Sequence, residues 1–246
     1  MARLHLHLPA EVETCGYLEG RESTTDYRVM TEVSPVDLEW MIERGWRRFG
    51  HLHFRPVCPA CQECVSLRIP VAQFRPSKSQ RRARNRCAHL RLVVRKPIAD
   101  EERLELYTAW HAMREKTRGW RAATTDLDQY ARTFCVPHPS AFECDYFEGD
   151  RLVGVGFVDE TPNALSSVYF FYHPEVQALG LGVASVLFEI ELTSQRGLEF
   201  LYLGYRVRDC GSTSYKSQFG PHELLAERPG FDAPATWFPA GSDTPG

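Results

Sequence analysis

Three cysteines at two-residue spacings are the residues of this sequence whose types and positions point most directly to chemistry. Cys58, Cys61 and Cys64 form the pattern CxxCxxC. A short loop with this spacing turns thiolates toward one centre, and soft sulfur ligands suit tetrahedral zinc or an iron–sulfur cluster. Cys15 supplies a fourth thiolate if the two segments meet in the fold. We therefore predict a metal site at these four cysteines, with free thiols packed as small hydrophobic side chains as the alternative.

A basic segment follows the cysteines. Between Val65 and Ala99 the chain has ten Lys or Arg and no acidic residue, although its formal net charge is −3. A basic segment in an otherwise acidic chain attracts a polyanion to one face, so we predict a surface for nucleic acid or for a carboxylate. A solvated basic surface without a ligand is the alternative. The candidate contacts, which include one arginine before the cysteines, are Arg55, Arg68, Lys78, Arg81, Arg82 and Arg84.

Capping residues and periodicity predict the elements that hold these side chains in the first part of the chain. A helix is expected from Pro35 to Arg44, because Ser34 has the properties of an N-cap before a first-turn proline. Residues 65–71 alternate between apolar and polar, which predicts a half-buried strand, and Pro70 places its far end at a sheet edge. A basic helix and a further strand run to about Lys96.

In the second half of the chain, the sequence pattern predicts a helix, three strands, a glycine loop, another helix and a last strand. A hairpin turns at residues 148–150, and a third strand covers residues 165–172. Gly180-Leu181-Gly182 then precedes an apolar helix, and residues 200–205 form the last strand. A glycine loop that enters a helix presents backbone N–H groups suited to phosphate or to an oxyanion, although such a tripeptide is more often a tight turn.

This order of elements is the one found in the core of acyltransferases of the acetyltransferase superfamily. We therefore predict an α+β fold with an acetyltransferase-like (GNAT-like) mixed sheet and flanking helices, plus a smaller N-terminal α/β unit. The expected division is an N-terminal domain at 1–97, a catalytic domain at 98–228 and a flexible tail at 229–246. Because no run of about 18 apolar residues occurs, we expect a cytoplasmic protein that does not associate with a membrane.

Four segments, in order and over nearly the full length, resemble the arginyl-tRNA-protein transferases and their shorter bacterial leucyl-transferring relatives. The segments are CGYLEGR at Cys15, ERGWRRFGHLHFRPVCPACQECVSLRIPV from Glu43 to Val71, FRPSKSQRRARNR from Phe74, and YLGYRVRDCGSTSYKSQFGPHELL from Tyr202 to Leu225. The resemblance implies a two-part acyltransferase-like fold and an aminoacyl-tRNA donor. It also implies acceptor proteins that begin with Asp or Glu and are marked for degradation through the N-degron pathway.

The donor amino acid, Leu or Arg, is left open by departures from the family patterns. Leu18 stands where the eukaryotic arginyl enzymes have a second cysteine, and CPACQEC also resembles the short bacterial members. In contrast, GLGVASVLFEIEL near Gly180 is closer to the arginyl branch, and residues 211–214 differ from the basic-methionine pair usual before the YK of both. The cysteine pattern makes Leu the favoured donor.

The reaction implied by the resemblance is the attack of an N-terminal amine on an ester that the tRNA already activates. Such an amine has a pKa of about 7.7 to 8.0, so little general base is needed, and transfer requires no cofactor. Positioning and oxyanion stabilisation then supply most of the rate. We predict catalytic roles for Tyr205 and Lys216 and for Gly180 and Gly182 in the loop. A buried tyrosine and a surface lysine without a catalytic role are the alternative.

Two other functions explain part of the sequence. A coenzyme A-dependent small-molecule N-acyltransferase would share the glycine loop and helix, but it has no need of so basic a segment. A non-catalytic metal-containing RNA-binding module would explain the cysteines and arginines, but it leaves the second half of the chain without a task. Neither function requires the histidines of the chain, and His51 and His53 are both expected to face solvent.

Overall fold

A computed structural model describes residues 2–120, 122 and 124–241. The chain divides into two compact units. The first takes the described residues of Met1–Arg75, Thr161–Ser166 and Thr193–Gly246, and the second takes those of Pro76–Glu160 and Ser167–Leu192. The predicted domain limit at residue 97 does not coincide with these units, because segments distant in sequence pair with each other in the first unit.

The helices and strands are numbered in chain order. The strands are β1 (Arg3–Leu8), β2 (Val12–Thr14), β3 (Glu22–Thr31), β4 (Arg47–Phe49), β5 (Leu52–Pro56), β6 (Val65–Pro70), β7 (Arg91–Arg95), β8 (Ala141–Glu148), β9 (Arg151–Glu160), β10 (Ala164–Tyr172), β11 (Phe200–Arg206), β12 (Glu223–Leu225) and β13 (Trp237–Pro239). The α-helices are α1 (Pro35–Glu43), α2 (Lys78–Arg86), α3 (Glu101–Arg118), α4 (Leu127–Phe134) and α5 (Leu181–Gln195).

The first unit begins with an antiparallel sheet in the order β1-β3-β5-β4, with β2 paired to β3. Helix α1 follows β3, and the side chain of Ser34 and that of Asp37 form a capping box at its start. The helix buries Leu38, Met41 and Ile42 in a core that also contains Trp46. The predicted helix is confirmed, and its capping and apolar face explain why it forms here.

A mixed sheet completes the first unit. Strand β11 pairs antiparallel with β6 and parallel with the start of β10, while β12 pairs with β6 and β13 with β12. Strand β6 therefore has a partner on both sides at Leu67 and Arg68, but at Pro70 only β11 pairs with it, so its far end lies at a sheet edge as expected. Pro70 is tolerated because β12 pairs with Leu67 and Arg68 and does not reach it.

The second unit contains the strand order β7-β8-β9 and the remainder of β10, together with α2 to α4 and most of α5. Asp100 caps α3 by accepting a hydrogen bond from the N–H of Arg103, and Gly119 ends the helix in the left-handed conformation. The predicted α+β class, with a mixed sheet and flanking helices, is confirmed. Among the described residues, no helix is both long and apolar enough to cross a membrane.

The expected flexible tail is wrong for residues 229–241. Phe231 stacks on Trp40 and Trp46, with ring centroids 5.0 and 5.5 Å apart, and β13 adds a strand to the sheet. Aromatic side chains in this segment supply the buried area that a purely polar tail lacks. Residues 242–246 lie outside the described part of the chain.

Candidate active site

Strand β11 of the first unit has a bulge with two cationic side chains beside it. Gly204 has a φ of +76°, and the register between β11 and β6 shifts between Tyr202 and Gly204. A Cβ at this position would lie 3.5 Å from Nζ of Lys216 and 3.7 Å from Nε of Arg47. The glycine therefore permits the left-handed backbone of the bulge, beside which the two cationic side chains lie.

Lys216 is one of these cations. Its Nζ donates a hydrogen bond to the backbone carbonyl of Tyr205 at 2.9 Å. Burial of the ammonium, with a contribution from nearby Arg47, lowers the pKa of Lys216 to about 8. The amine therefore changes its charge close to neutral pH, as is common for lysines in active sites.

Arg47 is the second cation and is 8% exposed. Its Nη1 donates to the carbonyls of Ile42 and Trp46, at 3.2 and 2.6 Å, and its Nη2 donates to Oγ of Ser66 at 3.3 Å. Burial lowers the pKa of the guanidinium. Sequence reasoning did not select Arg47 as a site residue.

Tyr205 is buried and its hydroxyl faces the main chain. The hydroxyl donates to the carbonyl of Gly45 at 2.6 Å and lies 3.4 Å from that of Phe54. Burial raises the pKa of the phenol above its usual range. Tyr205 therefore stays protonated and fixes the turn after α1, and its catalytic role stays a prediction.

A shallow cleft with room for about one water molecule opens beside Tyr205 in the same unit. Arg55, Cys64, Glu227 and Arg228 contribute to its lining. Nη1 of Arg55 donates to the carbonyl of Arg44 at 3.1 Å and to the carbonyl of Pro229 at 2.7 Å. This cleft brings charged side chains of both signs together with one of the predicted cysteines.

The predicted cysteines lie in the same region. Cys15, Cys58 and Cys61 all influence Cys64, whose thiol pKa is raised to about 12 by burial and then by these sulfurs. Arg228 donates to the carbonyls of Cys58 and Cys61, at 3.2 and 3.0 Å. The two cysteine-containing segments therefore lie near one another.

Backbone and guanidinium groups surround these sulfurs as they do around metal thiolates. The N–H of Thr24 lies 3.3 Å from Sγ of Cys58, and Nη1 of Arg21 lies 3.8 Å from Sγ of Cys61. Within the described residues, however, no three His, Cys, Asp or Glu side chains are arranged as a ready metal site. The donor set suits zinc or an iron–sulfur cluster, and the metal site stays a prediction.

Arg68, a predicted ligand contact, holds the mixed sheet together. Its Nε donates to Oε2 of Glu223 at 2.6 Å and its Nη1 to the hydroxyl of Tyr202 at 3.2 Å. The guanidinium also lies 3.9 Å from the ring centroid of Phe200 and 4.5 Å from that of Trp237. These contacts give Arg68 a structural role, and its contact with a ligand stays a prediction.

In the second unit, α2 carries the remaining predicted arginines. Lys78, Arg81 and Arg82 are exposed. Arg84 instead forms a two-point ion pair with Glu191, with both nitrogen–oxygen distances at 3.0 Å. Three of the four candidates on α2 therefore present their charge to solvent, while Arg84 connects α2 to α5.

The glycine loop before α5 serves a tight turn and close packing. Gly180 has a φ of +74°, and its N–H donates to the carbonyl of Gln177 at 3.0 Å. A Cβ there would lie 2.9 Å from Nη2 of Arg86. This N–H closes the turn and is therefore not one of the unpaired donors expected of the loop, and the catalytic role of Gly180 stays a prediction. Gly182 accepts a hydrogen bond from the hydroxyl of Ser185 through its carbonyl, and its catalytic role stays a prediction.

Two models of one protein family match this chain. A model described as "Arginine-tRNA-protein transferase, N terminus" matches residues 13–82, and one described as "Arginine-tRNA-protein transferase, C terminus" matches residues 102–226. The chain belongs to the arginine-tRNA-protein transferase family. The predicted family and the predicted aminoacyltransferase class are confirmed.

Relatives of this family member are named aspartate/glutamate leucyltransferase. The protein of Campylobacter jejuni strain 81-176 is 34% identical over 87% of this chain and 90% of its own length. Those of Helicobacter hepaticus and Pseudomonas aeruginosa strain LESB58 are 31% and 34% identical, over 92% and 93% of this chain and 94% and 96% of their own lengths. L-PGS from Bacillus licheniformis matches at 14% identity over 69% of this chain and 50% of that one, with a TM-score of 0.44. That likeness is too distant to add to the fold described above.

Sequence reasoning missed several charged groups of this transferase and misjudged one histidine. Glu227 and Arg228 lie outside any motif, and Arg47 lies in the segment from Glu43 to Val71 but was not selected within it. A glycine within the strand pattern at Gly204 is a recognised indication of a bulge or a close approach. His53 is 1% exposed and does not face solvent. Burial, and then nearby Arg48, lower its pKa to about 4.

Proposed function

We propose that this chain transfers Leu or Arg from an aminoacyl-tRNA to the N-terminal Asp or Glu of acceptor proteins. The observation that carries the proposal is 34% identity over 90% of a protein named aspartate/glutamate leucyltransferase, and it favours Leu as the donor. The same proposal places the protein in the cytoplasm, where the added amino acid would mark acceptors for N-degron degradation.

The proposed reaction needs little beyond positioning and charge. The neutral α-amine of the acceptor attacks the ester carbonyl carbon, a C–N bond forms and the C–O bond to the tRNA ribose breaks. The amine loses one proton and the ribose oxygen gains one. Charge builds on the ester oxygen in between, and the cations of Lys216 and Arg47 at the Gly204 bulge are suited to stabilise it. Tyr205 would hold the adjacent turn in place.

The exposed cations of α2 are the proposed contacts for tRNA. Lys78, Arg81 and Arg82 present long side chains to solvent from one short helix, whose N-terminus also attracts anions. Arg84 would contribute less, because Glu191 already neutralises it.

The cysteines support a proposed zinc ion or iron–sulfur cluster held by Cys15, Cys58, Cys61 and Cys64. Bound there, the metal would cross-link two segments and stabilise the wall of the cleft to which Cys64 belongs. No step of the proposed transfer passes through it. Metal analysis of protein purified without oxygen, compared with Cys61→Ala, tests this; less than about one tenth of an equivalent and normal folding of the variant would remove the metal.

One assay tests the transfer itself. Purified protein is incubated with total tRNA, aminoacyl-tRNA synthetases, labelled amino acids and a set of peptides that differ only in their first residue. We expect label from Leu, or from Arg, on peptides that begin with Asp or Glu. The proposal is wrong if neither amino acid reaches any acidic N-terminus.

A further inference from the structure

Two fully buried carboxylates share one arginine in the second unit. Glu143 and Asp145 lie two residues apart on β8 and therefore on one face of the sheet, and neither side chain is exposed. Nη2 of Arg103, in the first turn of α3, lies 2.9 Å from Oε1 of Glu143 and also contacts Oδ2 of Asp145. The two carboxylates therefore lie beside the same nitrogen atom, and one positive charge offsets the repulsion between them.

The other ion pairs of this cluster leave it one positive charge short. Nε of Arg95 on β7 lies 3.1 Å from Oδ2 of Asp145, and Oδ2 of Asp100 lies 2.6 Å from Nη1 of Arg103. Among the described residues, the cluster thus joins three carboxylates to two guanidinium groups. Arg95 and Asp100 are each 39% exposed, so water screens their charges. The fully buried part of the cluster has two acids and one base.

The groups that face the pair from α4 and β9 do not supply the missing charge. Burial raises the pKa of Tyr130 in α4 and that of Cys135, which directly follows α4, so both groups stay neutral. Asp159 on β9 lies opposite Ala141 of β8, on the same face as the pair, and is itself an acid. These neighbours therefore add no cation.

The segments before α3 and before β8 bring two further basic residues near the pair. Lys96 is exposed, and its Nζ donates to the carbonyls of Pro139 and Ala141, both at 3.2 Å. Nδ1 of His138 accepts a hydrogen bond from the N–H of Ser140 at 3.1 Å, so this imidazole is not the doubly protonated cation. A proton on one of the two carboxylates is the remaining way to balance the buried charge.

Unpaired polar atoms of the cluster support the same conclusion. Oδ1 of Asp145 and the hydroxyl of Tyr130 are buried and have no hydrogen-bond partner among the described residues. Oε2 of Glu143, in contrast, accepts a hydrogen bond from the N–H of Ile98 at 3.3 Å. A buried acceptor without a donor is unfavourable. A proton bound by the pair both removes one charge and adds a donor.

We propose that Glu143 and Asp145 hold one shared proton in the folded protein up to neutral pH, so that the attachment of α3 to the sheet is stronger in mildly acidic solution than above neutral pH. Burial, and then the charge of Asp145, raise the pKa of Glu143 from 4.5 to about 7, and burial also raises the pKa of Asp145. A carboxyl whose pKa is raised by folding stabilises the fold fully below its unfolded pKa, and this stabilisation is lost as the pH rises through about 7. The inference concerns the second unit alone and does not rest on the proposed transfer.

Hydrogen exchange of the α3 amides in the full-length protein measures this attachment. Protection factors, corrected for the intrinsic exchange rate, are compared from about pH 5 to about pH 8. In wild type they should fall by up to about tenfold per pH unit until about pH 7 and then level off, because one proton is released. Glu143→Gln keeps the shape of the side chain without its charge, so α3 should keep its protection across the whole range.

Glu191→Gln is the matched control, since it removes an exposed carboxylate of the same unit that pairs with Arg84. Its pH profile of α3 protection should match that of wild type. Carbon NMR of the side-chain carboxyl groups in wild type does not depend on whether a variant folds, and it should show the pair releasing a proton near pH 7. The inference is overturned if Glu143 and Asp145 both complete their titration below about pH 5, if Glu143→Gln keeps the wild-type profile, or if Glu191→Gln flattens the profile equally.

Discussion

Nζ of Lys216 donates a hydrogen bond to the carbonyl of Tyr205 at 2.9 Å. Tyr205 directly follows Gly204, the residue at the bulge of β11. Lys216 and Arg47 both lie beside the bulge, with Nζ and Nε at 3.5 and 3.7 Å from the Cβ position of Gly204, whose φ of +76° favours glycine. Substitutions at Gly204 and at Lys216 should therefore distinguish the effect of backbone strain on transfer from the effect of the lysine charge.

Gly204→Ala should lower both stability and transfer. Its left-handed φ costs an alanine about 1 to 2 kcal/mol, and relief of that strain would shift the bulge beside which Nζ of Lys216 and Nε of Arg47 lie. Gly197→Ala is the matched control, since Gly197 has a φ of +71° with nothing near its Cβ position. Thermal unfolding and kcat should show similar destabilisation of the two variants, with a large loss of kcat only for Gly204→Ala. Equal kcat in both variants would argue against a role for the bulge in catalysis.

Lys216 should impose a limit on transfer at alkaline pH. The rate first rises as the acceptor amine, with a pKa of about 7.7 to 8.0, becomes neutral. It should then fall as Lys216 loses its proton, because its pKa is about 8 in the fold. Lys216→Arg should keep the charge and move this fall to higher pH. A wild-type profile of kcat that stays flat to pH values well above that pKa would contradict the role of the ammonium.

The same group should affect stability with a defined sign. The folded pKa of about 8 lies below the value of about 10.4 in an unfolded chain, so the folded state binds this proton less tightly. The contribution of neutral Lys216 to the free energy of unfolding is therefore complete above about pH 10.4, and it is lost as the pH falls through about 8. In urea unfolding, the stability of wild type relative to Lys216→Met should therefore increase as the pH is raised from about 8 to about 10.4. An unchanged difference would mean that the pKa is not lowered.

Much of the fold follows from local sequence, whereas the site depends on distant pairing. Ser34 and the apolar face of α1 predict that helix, since a cap and a periodicity are local properties. The ion pair between Arg84 and Glu191 joins residues far apart in sequence, so no spacing indicates it. His53 alternates with His51 as a solvent-facing strand would, but its neighbours in the sheet bury it.

Arg103 should be the most important ion for the stability of the second unit. It is 3% exposed, and it lies between the fully buried carboxylates of Glu143 and Asp145. Arg103→Met leaves Glu143 without its cation and leaves Asp145 with Arg95 alone, which should cost about 3 to 5 kcal/mol. Arg132→Met removes an exposed pair with Asp128 and should cost less than about 1 kcal/mol. Denaturant unfolding checks both, and equal effects would contradict the buried network.

The charges of α2 should determine how tRNA binding responds to salt. A double variant with Arg81→Ala and Arg82→Ala should have a flatter logarithmic salt slope, by about 0.7 to 0.9 for each phosphate that these arginines neutralise. Arg84→Ala is the comparison, because Glu191 already pairs with that arginine, and its slope should change less. Binding of leucyl-tRNA across a salt series measures this. An unchanged slope in the double variant would place the tRNA on another surface.

Aminoacyl transfer to an acidic N-terminus is tested most directly by one competition reaction. Leucyl-tRNA and arginyl-tRNA are supplied together with four peptides, which begin with Asp, Glu, Asn and acetylated Asp, and the products are identified by mass. We expect one amino acid, leucine or arginine, to be added to the Asp and Glu peptides and to no other peptide. Products on the Asn peptide at the same rate, or no product on any peptide, would contradict the proposed transfer.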